Sequence, residues 1–136
     1  MRQITISGNW KMHKTKEEAT QLIKDLVSKR SASKTECIVF PPTIHISQCE
    51  DLLLETDIAY GAQNIYPEQQ GAFTGELSVG MLKSYNGKHV LVGHSERRTL
   101  FKESNDLINK KCHIAFENNL TPTFCIGETL EERENG

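Results

Sequence analysis

The sequence predicts an α/β fold built on a parallel β-sheet. Short apolar runs, typical of buried strands, alternate along the chain with segments whose apolar residues recur at helical spacing. Strands are expected at residues 3–7, 36–40, 57–63, 88–92 and 121–127. Because strict alternation requires helical crossovers, neighbouring strands should run parallel. Polar or special residues follow each strand, which is the layout of a barrel or open sheet with its active site at the strand carboxyl ends.

The first predicted helix has the clearest signals. Residues 15–18 (Thr-Lys-Glu-Glu) form a capping box, in which the two end side chains each bind a free backbone N–H. An apolar stripe then predicts the buried face of this helix: Ala19, Leu22, Ile23, Leu26 and Val27.

The later helices are predicted from the same signals. Capping boxes at residues 47–50 and 129–132 each open a helix, the first a short one through residue 54. Further helices are expected at residues 81–85 and 106–118. The stripe of the 106–118 helix is Leu107, Ile108, Cys112, Ala115 and Phe116. Residues 64–78 read as a long loop with a glycine-rich tip.

Composition predicts one ordinary globular domain. The chain has 136 residues, of which 37% are hydrophobic and 25% charged, and a formal net charge of −2. No basic excess favours nucleic acid as a partner, and no apolar run reaches the length of a membrane span. The amino terminus is too polar for a signal peptide, so we expect a cytoplasmic protein.

The cysteines and histidines show no metal-binding pattern. The four cysteines have no Cys-x-x-Cys spacing, and the five histidines form no His-Glu-x-x-His motif. We interpret the cysteines as reduced, mostly buried small apolar residues. No metal ion is therefore expected.

The segment 88–98 is the strongest candidate for chemistry. Its apolar half predicts a buried strand, and Gly93 then gives way to a histidine, a glutamate and two arginines. At the carboxyl end of such a strand, these side chains would face the crevice in which α/β folds do chemistry. The alternative is a strand followed by a solvated, charged loop.

Five motifs occur in a fixed order along the chain. They are Gly-Asn-Trp-Lys-Met at 8–12, Gly-Ala-Gln-Asn-Ile-Tyr at 61–66, Gly-Ala-Phe-Thr-Gly-Glu at 71–76, Val-Gly-His-Ser-Glu-Arg-Arg at 92–98 and Cys-Ile-Gly-Glu-Thr-Leu-Glu-Glu-Arg at 125–133. In order and spacing they resemble the motifs of the triosephosphate isomerase family. The resemblance covers essentially the whole chain, and the motifs together are specific although each alone is weak.

This resemblance implies both a fold and a reaction. The fold would be a (β/α)8 TIM barrel, with residues 1–136 as the amino-terminal part of a single domain containing about five strands and four helices. The reaction would interconvert dihydroxyacetone phosphate and D-glyceraldehyde 3-phosphate through an enediol, in glycolysis and gluconeogenesis. It implies a small phosphorylated triose as substrate, no cofactor, and a homodimer when the protein is full length.

The resemblance also assigns roles to individual residues. His94 matches the electrophile, which in this family is a neutral imidazole that donates a hydrogen bond to the substrate carbonyl. Lys11 matches the lysine that supplies positive charge to the phosphate and the developing oxyanion. Asn9 matches a substrate-contacting amide, and Glu96 matches the glutamate beside the lysine.

Each of these residues also has a plainer interpretation. Lys11 could be a solvated surface lysine, and Asn9 could be a turn residue. Glu96 could form a weak surface ion pair with Arg97 or Arg98.

A dimer interface is implied at the tip of the long loop. Thr74 matches a residue of the loop that inserts into a partner subunit, with Phe73 beside it and Met12 on the first motif. A flexible glycine-rich turn is the alternative for this tip. Cys125 matches a buried residue near the site and is expected to act in packing.

One element of the family pattern is missing. The family's base is a glutamate in an Ala-Tyr-Glu-Pro-Val-Trp motif on a later strand, and these 136 residues contain no such motif. We therefore expect the chain to be part of a full enzyme and inactive alone. A truncated half-barrel acting as a non-catalytic interaction module is a second hypothesis. A flavodoxin-like doubly wound sheet is a third, although its first turn would lack a glycine-rich phosphate cradle.

Overall fold

The protein forms a parallel sheet of five strands, seen in a computed structural model that describes residues 4–31, 33–128 and 130–136. The strands are β1 (Thr5–Asn9), β2 (Glu36–Phe40), β3 (Ile58–Ala62), β4 (His89–Val92) and β5 (Thr121–Phe124). Each strand pairs in parallel with the next, so spatial order follows chain order. The predicted parallel α/β fold is confirmed. The flavodoxin-like hypothesis is wrong, because a doubly wound sheet reverses its strand order.

The helices and the sheet together make a curled half-barrel. The described helices are α1 (Lys16–Lys29), α2 (Ile46–Leu53), α3 (Val79–Ser84), α4 (Ser95–Leu100), α5 (Asn105–Glu117) and α6 (Leu130–Asn135). Right-handed crossovers between successive neighbouring strands place the connecting helices on one face of the sheet. Strand twist then curls the sheet with its helices outside. This is the expected partial (β/α)8 barrel.

Apolar side chains pack on both faces of the sheet. On the helix side, Ile23 of α1 and Leu53 of α2 pack in one cluster with Val39 of β2. On the inner face, Ile38 and Phe40 form a separate cluster with Leu91 of β4. Successive side chains of a strand point to opposite faces, so β2 supplies both clusters. The strands are thus held from both sides, and the residues that follow them start from fixed positions.

Strand boundaries differ from the prediction mainly at the ends. β1 starts at Thr5 and continues through Asn9, because Gly8 and Asn9 pair with Val39 and Phe40 of β2. Residue 3 lies outside the described residues. β3 is one residue shorter than expected at each end, and β5 stops at Phe124 instead of residue 127. The predicted β2 is confirmed at both ends.

Two helix starts differ from the prediction. α2 begins at Ile46 after a 3-10 turn, Thr43–His45, so Ser47 is not its cap as the capping box had suggested. The short helix expected at residues 81–85 begins earlier, at Val79, because the Ser78 hydroxyl accepts from the Met81 N–H. The capping box expected at 129–132 includes Thr129, which lies outside the described residues.

The charged segment after β4 folds into a helix that the sequence had not predicted. α4 covers Ser95–Leu100, within the stretch expected to be a polar strand end. On α5, Phe116 is 64% exposed, so it does not belong to the buried stripe. Lys111 is buried there instead, at 2% exposure. The prediction placed no charged residue on the buried face of this helix.

The capping box of α1 is confirmed. The Thr15 hydroxyl accepts from the Glu18 N–H at 3.4 Å, and the Glu18 carboxylate accepts from the Thr15 N–H at 2.9 Å. Of the stripe that follows, Ala19 and Ile23 are fully buried, whereas Val27 is 36% exposed. In the described part of the chain, no helix is long and apolar enough to cross a membrane.

We expect Thr15→Ala to lower the free energy of unfolding by about 1 kcal/mol, because it removes an acceptor from the first turn of α1. Urea denaturation of the full-length protein measures this loss. Thr99→Ala, at an exposed position inside α4, is the control and should change stability by less than about 0.5 kcal/mol. Equal losses in the two variants would contradict a specific role for the cap.

Candidate active site

The carboxyl ends of β1, β3 and β4 meet around one cleft of about 330 Å³. Its lining includes residues from all three ends and from α4: Asn9, Lys11, Gln63, His94 and Glu96. The structure thus brings together the four residues that the sequence had proposed for catalysis and substrate binding. Met12 also lines the cleft, although its side chain is 93% exposed.

The loop after β1 presents Lys11 through a fixed backbone turn. Lys11 has φ +53°, in the left-handed region that few residues other than glycine adopt. The Asn9 side-chain oxygen accepts from the Lys11 N–H at 2.9 Å, which closes this turn. Asn9 is therefore a turn residue through its Oδ1, and its Nδ2 is left as a hydrogen-bond donor at the cleft.

Gln63 joins the ends of three strands, a role that sequence reasoning missed. Its Nε2 donates to the Lys11 carbonyl at 2.8 Å and to the Phe40 carbonyl at 2.9 Å. These acceptors follow β1 and end β2, while Gln63 itself follows β3. A polar residue directly after a buried strand was the available signal, but its targets lie 52 and 23 residues away in the chain.

Lys11 and Glu96 form an ion pair across the cleft. Lys11 Nζ lies 2.6 Å from Glu96 Oε1, and the two side chains are 49% and 46% exposed. The hydrogen bond from Lys11 holds the pKa of Glu96 below its ordinary value. Glu96 thus pairs with neither Arg97 nor Arg98, the partners considered in its plainer interpretation. Those arginines bond elsewhere, to Glu103 and to the Gly93 carbonyl.

His94 sits where β4 passes into α4, with its ring orientation set by the backbone. Its Nδ1 accepts from the Glu96 N–H at 3.2 Å. The Glu96 carboxylate lies farther from Nδ1, at 3.6 Å, so the backbone bond is the closer contact. A ring nitrogen that accepts carries no proton, so the neutral ring bears its proton on Nε2. The ring borders both the 330 Å³ cleft and a second cleft of about 390 Å³.

The turn that carries His94 requires glycine. Gly93 has φ +74°, and a Cβ there would lie 2.9 Å from the Arg98 guanidinium and 3.2 Å from Ile108. Arg98 donates to the Gly93 carbonyl at 2.7 Å and to the Asn105 side chain at 2.7 Å. These bonds connect the turn to the start of α5.

A largely buried charge cluster of Glu103, Lys111 and Arg97 connects the elements that surround the site. Glu103 Oε1 lies 2.5 Å from Lys111 Nζ and 2.6 Å from Arg97 Nε. Lys111 also donates to Asn64, which follows β3, at 2.7 Å. The cluster thus joins α5, α4 and the end of β3. Sequence reasoning missed Lys111 and Glu103, because nothing in their neighbourhood along the chain marks them as buried.

The Glu103 carboxyl stays ionised inside this cluster. Burial raises its pKa, but the hydrogen bonds from Lys111 and Arg97 outweigh burial and hold the pKa below its ordinary value. Burial lowers the pKa of Lys111, and its bond to Glu103 opposes that change. Each partner therefore favours the charged form of the other.

Of the three expected dimer residues, Met12 lines the cleft, whereas Phe73 and Thr74 do not. Phe73 is 38% exposed and packs against Tyr66, with ring centroids 4.3 Å apart. Thr74 follows at the exposed loop tip. Cys125 is half-buried and packs against the inner-face cluster, which accords with a packing role. Within the described residues, no cluster of His, Cys, Asp and Glu has a geometry suited to a metal ion.

The family of this chain follows from its similarity to known proteins. The family model "Triosephosphate isomerase" matches residues 4–136. The chain belongs to the triosephosphate isomerase family. It is 47% identical over 136 residues to the triosephosphate isomerase of Clostridium tetani, covering 100% of this chain and 53% of that protein.

Other relatives give the same picture of the triosephosphate isomerase family. The enzyme of Ruthia magnifica is 46% identical over 135 residues, covering 99% of this chain and 54% of that protein. The enzyme of Caldanaerobacter subterraneus is 43% identical over 136 residues, covering 100% of this chain and 55% of that protein. The chain thus spans about half the length of the curated triosephosphate isomerases that it matches.

We expect Lys11→Met to raise the pKa of Glu96 towards that of an ordinary glutamate, because it removes the hydrogen bond that stabilises the carboxylate. A pH titration followed by carboxyl carbon NMR measures this change. Lys24→Met, on an exposed face of α1, is the control and should leave the Glu96 pKa unchanged. An unaltered Glu96 pKa in the Lys11 variant would contradict the ion pair.

We expect Lys111→Met to lower the free energy of unfolding by about 3 kcal/mol, because it leaves Glu103 buried with one cationic partner fewer. Exposed Lys110→Met is the matched control. Because the folded-state pKa of Glu103 is lowered, its stabilising effect is present above the ordinary glutamate pKa and is lost as the pH falls through the lowered value. Unfolding measured against pH should therefore show a shallower acid limb in the Lys111 variant.

Proposed function

We propose that the protein to which this chain belongs is a triose-phosphate isomerase, an intramolecular aldose–ketose isomerase of glycolysis and gluconeogenesis. It would interconvert dihydroxyacetone phosphate and D-glyceraldehyde 3-phosphate through an enediol. The supporting observation is the convergence of Lys11, His94 and Asn9 on one cleft, in a chain of this family.

Lys11 is proposed to bind the anionic parts of the substrate. Its ammonium group lies at the cleft with about half of its side chain exposed, so a phosphate can reach it. The Glu96 carboxylate accepts from this ammonium and keeps the side chain extended across the cleft. A bound substrate would accept a hydrogen bond from Lys11 either alongside Glu96 or in its place. The Asn9 Nδ2–H group would donate to a further substrate oxygen.

His94 is proposed to act as the electrophile. With Nδ1 occupied by the Glu96 N–H, its Nε2–H is the donor available to the substrate carbonyl oxygen. As the base removes a proton from the neighbouring carbon, negative charge develops on that oxygen, and the Nε2–H bond stabilises it. The proton of the neighbouring hydroxyl group then passes to this oxygen, which gives the enediol and leaves the charge on the other oxygen. The base returns its proton to the former carbonyl carbon, and the other oxygen becomes the new carbonyl.

The base itself is proposed to come from the part of the protein that this chain does not span. The sequence has no Ala-Tyr-Glu-Pro-Val-Trp motif, and it covers about half of its relatives' length. In that view, residues 1–136 are the amino-terminal part of a single TIM-barrel domain and are inactive alone. The reaction is a proton transfer, so no cofactor is proposed.

A homodimer in the cytoplasm is proposed for the whole protein. Its interface would include Thr74, Phe73 and Met12, of which Met12 is 93% and Phe73 38% exposed. Packing of Phe73 on Tyr66 gives the loop tip a defined shape, as a docking loop requires.

We expect His94→Ala to lower kcat about 10²–10³-fold, because it removes a donor aimed at the developing oxyanion. The assay follows triose-phosphate interconversion by the full-length protein. His113→Ala, on the exposed face of α5, is the matched control and should retain wild-type kcat. A His94 variant with unchanged kcat and KM would contradict the proposed role of the imidazole.

An interaction module remains a second candidate function. Apolar residues on β1, on β5 and just after β5 are exposed, among them Ile6 at 63%, Phe124 at 52% and Ile126 at 82%. Exposed apolar surface at a sheet edge is typical of an interaction site. Residues 1–136 produced alone should then be folded and soluble by circular dichroism and sedimentation. An insoluble or molten product would exclude this function.

A further inference from the structure

A buried histidine outside the cleft contacts the loop that carries Lys11. His45 ends the 3-10 turn after β2 and is 2% exposed. Its Nε2 lies 2.9 Å from the backbone carbonyl oxygen of Lys14, and its Nδ1 lies 2.7 Å from Oε1 of Gln48. Both ring nitrogens therefore face hydrogen-bond acceptors.

The orientation of the Gln48 amide is fixed by its other bonds. Its Nε2 donates to the Lys16 carbonyl at 2.9 Å and to the Thr20 hydroxyl at 2.8 Å. The Thr20 hydroxyl in turn donates to the Lys16 carbonyl at 3.0 Å. Rotating the amide would set two oxygens against each other, Gln48 Oε1 and Lys16 O. Oxygen, not nitrogen, therefore faces His45.

The bond at Nε2 is donated by the ring, because a backbone carbonyl oxygen can only accept. Gln48 connects His45 to Lys16 and Thr20 of α1. The bond to Lys14 thus forms part of a network that the buried turn, α1 and α2 share.

The loop held by this bond has an unfavourable backbone. Lys11 has φ +53° and Lys14 has φ +85°, and both angles lie in the left-handed region. Gln63 binds the carbonyl of Lys11 at one end, and His45 binds the carbonyl of Lys14 at the other. Met12, between them, is 93% exposed and adds little packing. The two backbone carbonyl bonds, together with the bond from the Lys11 N–H to Asn9, therefore hold this loop.

We propose that His45 is a positioning residue for Lys11, acting through its hydrogen bond to the Lys14 carbonyl. The proposal rests on the proposed isomerase function, in which Lys11 binds the substrate's negative charge. His45 touches no substrate. Its bond keeps the loop in the conformation that places the Lys11 ammonium in the cleft.

Two substitutions of His45 distinguish a positioning role from a role in packing alone. In His45→Gln, the side-chain amide nitrogen can occupy the place of Nε2 and donate to Lys14. In His45→Asn, the shorter amide reaches the place of Nδ1 and leaves the Lys14 carbonyl without this donor. In the full-length protein, we expect the Asn variant to raise KM about tenfold with little change in kcat, and the Gln variant to stay within about twofold of wild type. His113→Gln is the control at an exposed histidine.

Each outcome decides the proposal. If the wild type is active and the two variants raise KM equally, or neither does, the positioning role is wrong while the isomerase function stands. If the wild type is inactive, the proposed function fails, and nitrogen NMR of labelled protein still tests the contact. A ring signal that shows a proton on Nε2, with amide signals of residues 11–14 displaced in the Asn but not in the Gln variant, supports the positioning role. An Nε2 without a proton, or undisplaced loop signals, overturns it.

Discussion

Parallel pairing of the strands in chain order is the constraint on which the candidate site depends. Parallel strands end at one rim of the sheet, so the residue after each strand is delivered to the same side. Lys11 and Glu96 are 85 residues apart in the chain, yet their charged atoms lie 2.6 Å apart because β1 and β4 end at that rim. Packing on both faces of β2 and β4 then keeps the rim in place.

Side-chain bonds to backbone carbonyls set the loops at this rim. Gln63 binds the carbonyls of Lys11 and Phe40, Arg98 binds that of Gly93, and His45 binds that of Lys14. A backbone carbonyl cannot move independently of its loop. A hydrogen bond to it therefore constrains the backbone from which the neighbouring side chains project. This is how a surface loop with two left-handed residues can present a flexible lysine in a defined direction.

The charged side chains around the cleft form one buried group, Glu103 with Lys111, and one exposed pair, Lys11 with Glu96. Glu103 and Lys111 have side chains 3% and 2% exposed, and they connect α5 to the end of β3. Lys11 and Glu96 remain about half exposed to solvent. Burial makes the first group costly to break, whereas solvent makes the second easy to rearrange. The buried group thus connects the elements around the cleft, and the exposed pair lies within the cleft.

The sequence by itself determined the parallel α/β class, the capping box of α1, and the strand-end positions of Lys11 and His94. These follow from local order: alternation of apolar runs, a three-residue capping spacing, and polar residues after buried strands. Tertiary structure alone decided that Glu96 pairs with Lys11, that Gln63 and His45 hold the first loop, that residues 95–100 form a helix, and that Lys111 is buried while Phe116 is not. Apart from the helix at 95–100, whose capping contacts to His94 are local, each of these depends on groups brought together from distant parts of the chain. Local sequence patterns carry no information about such distances.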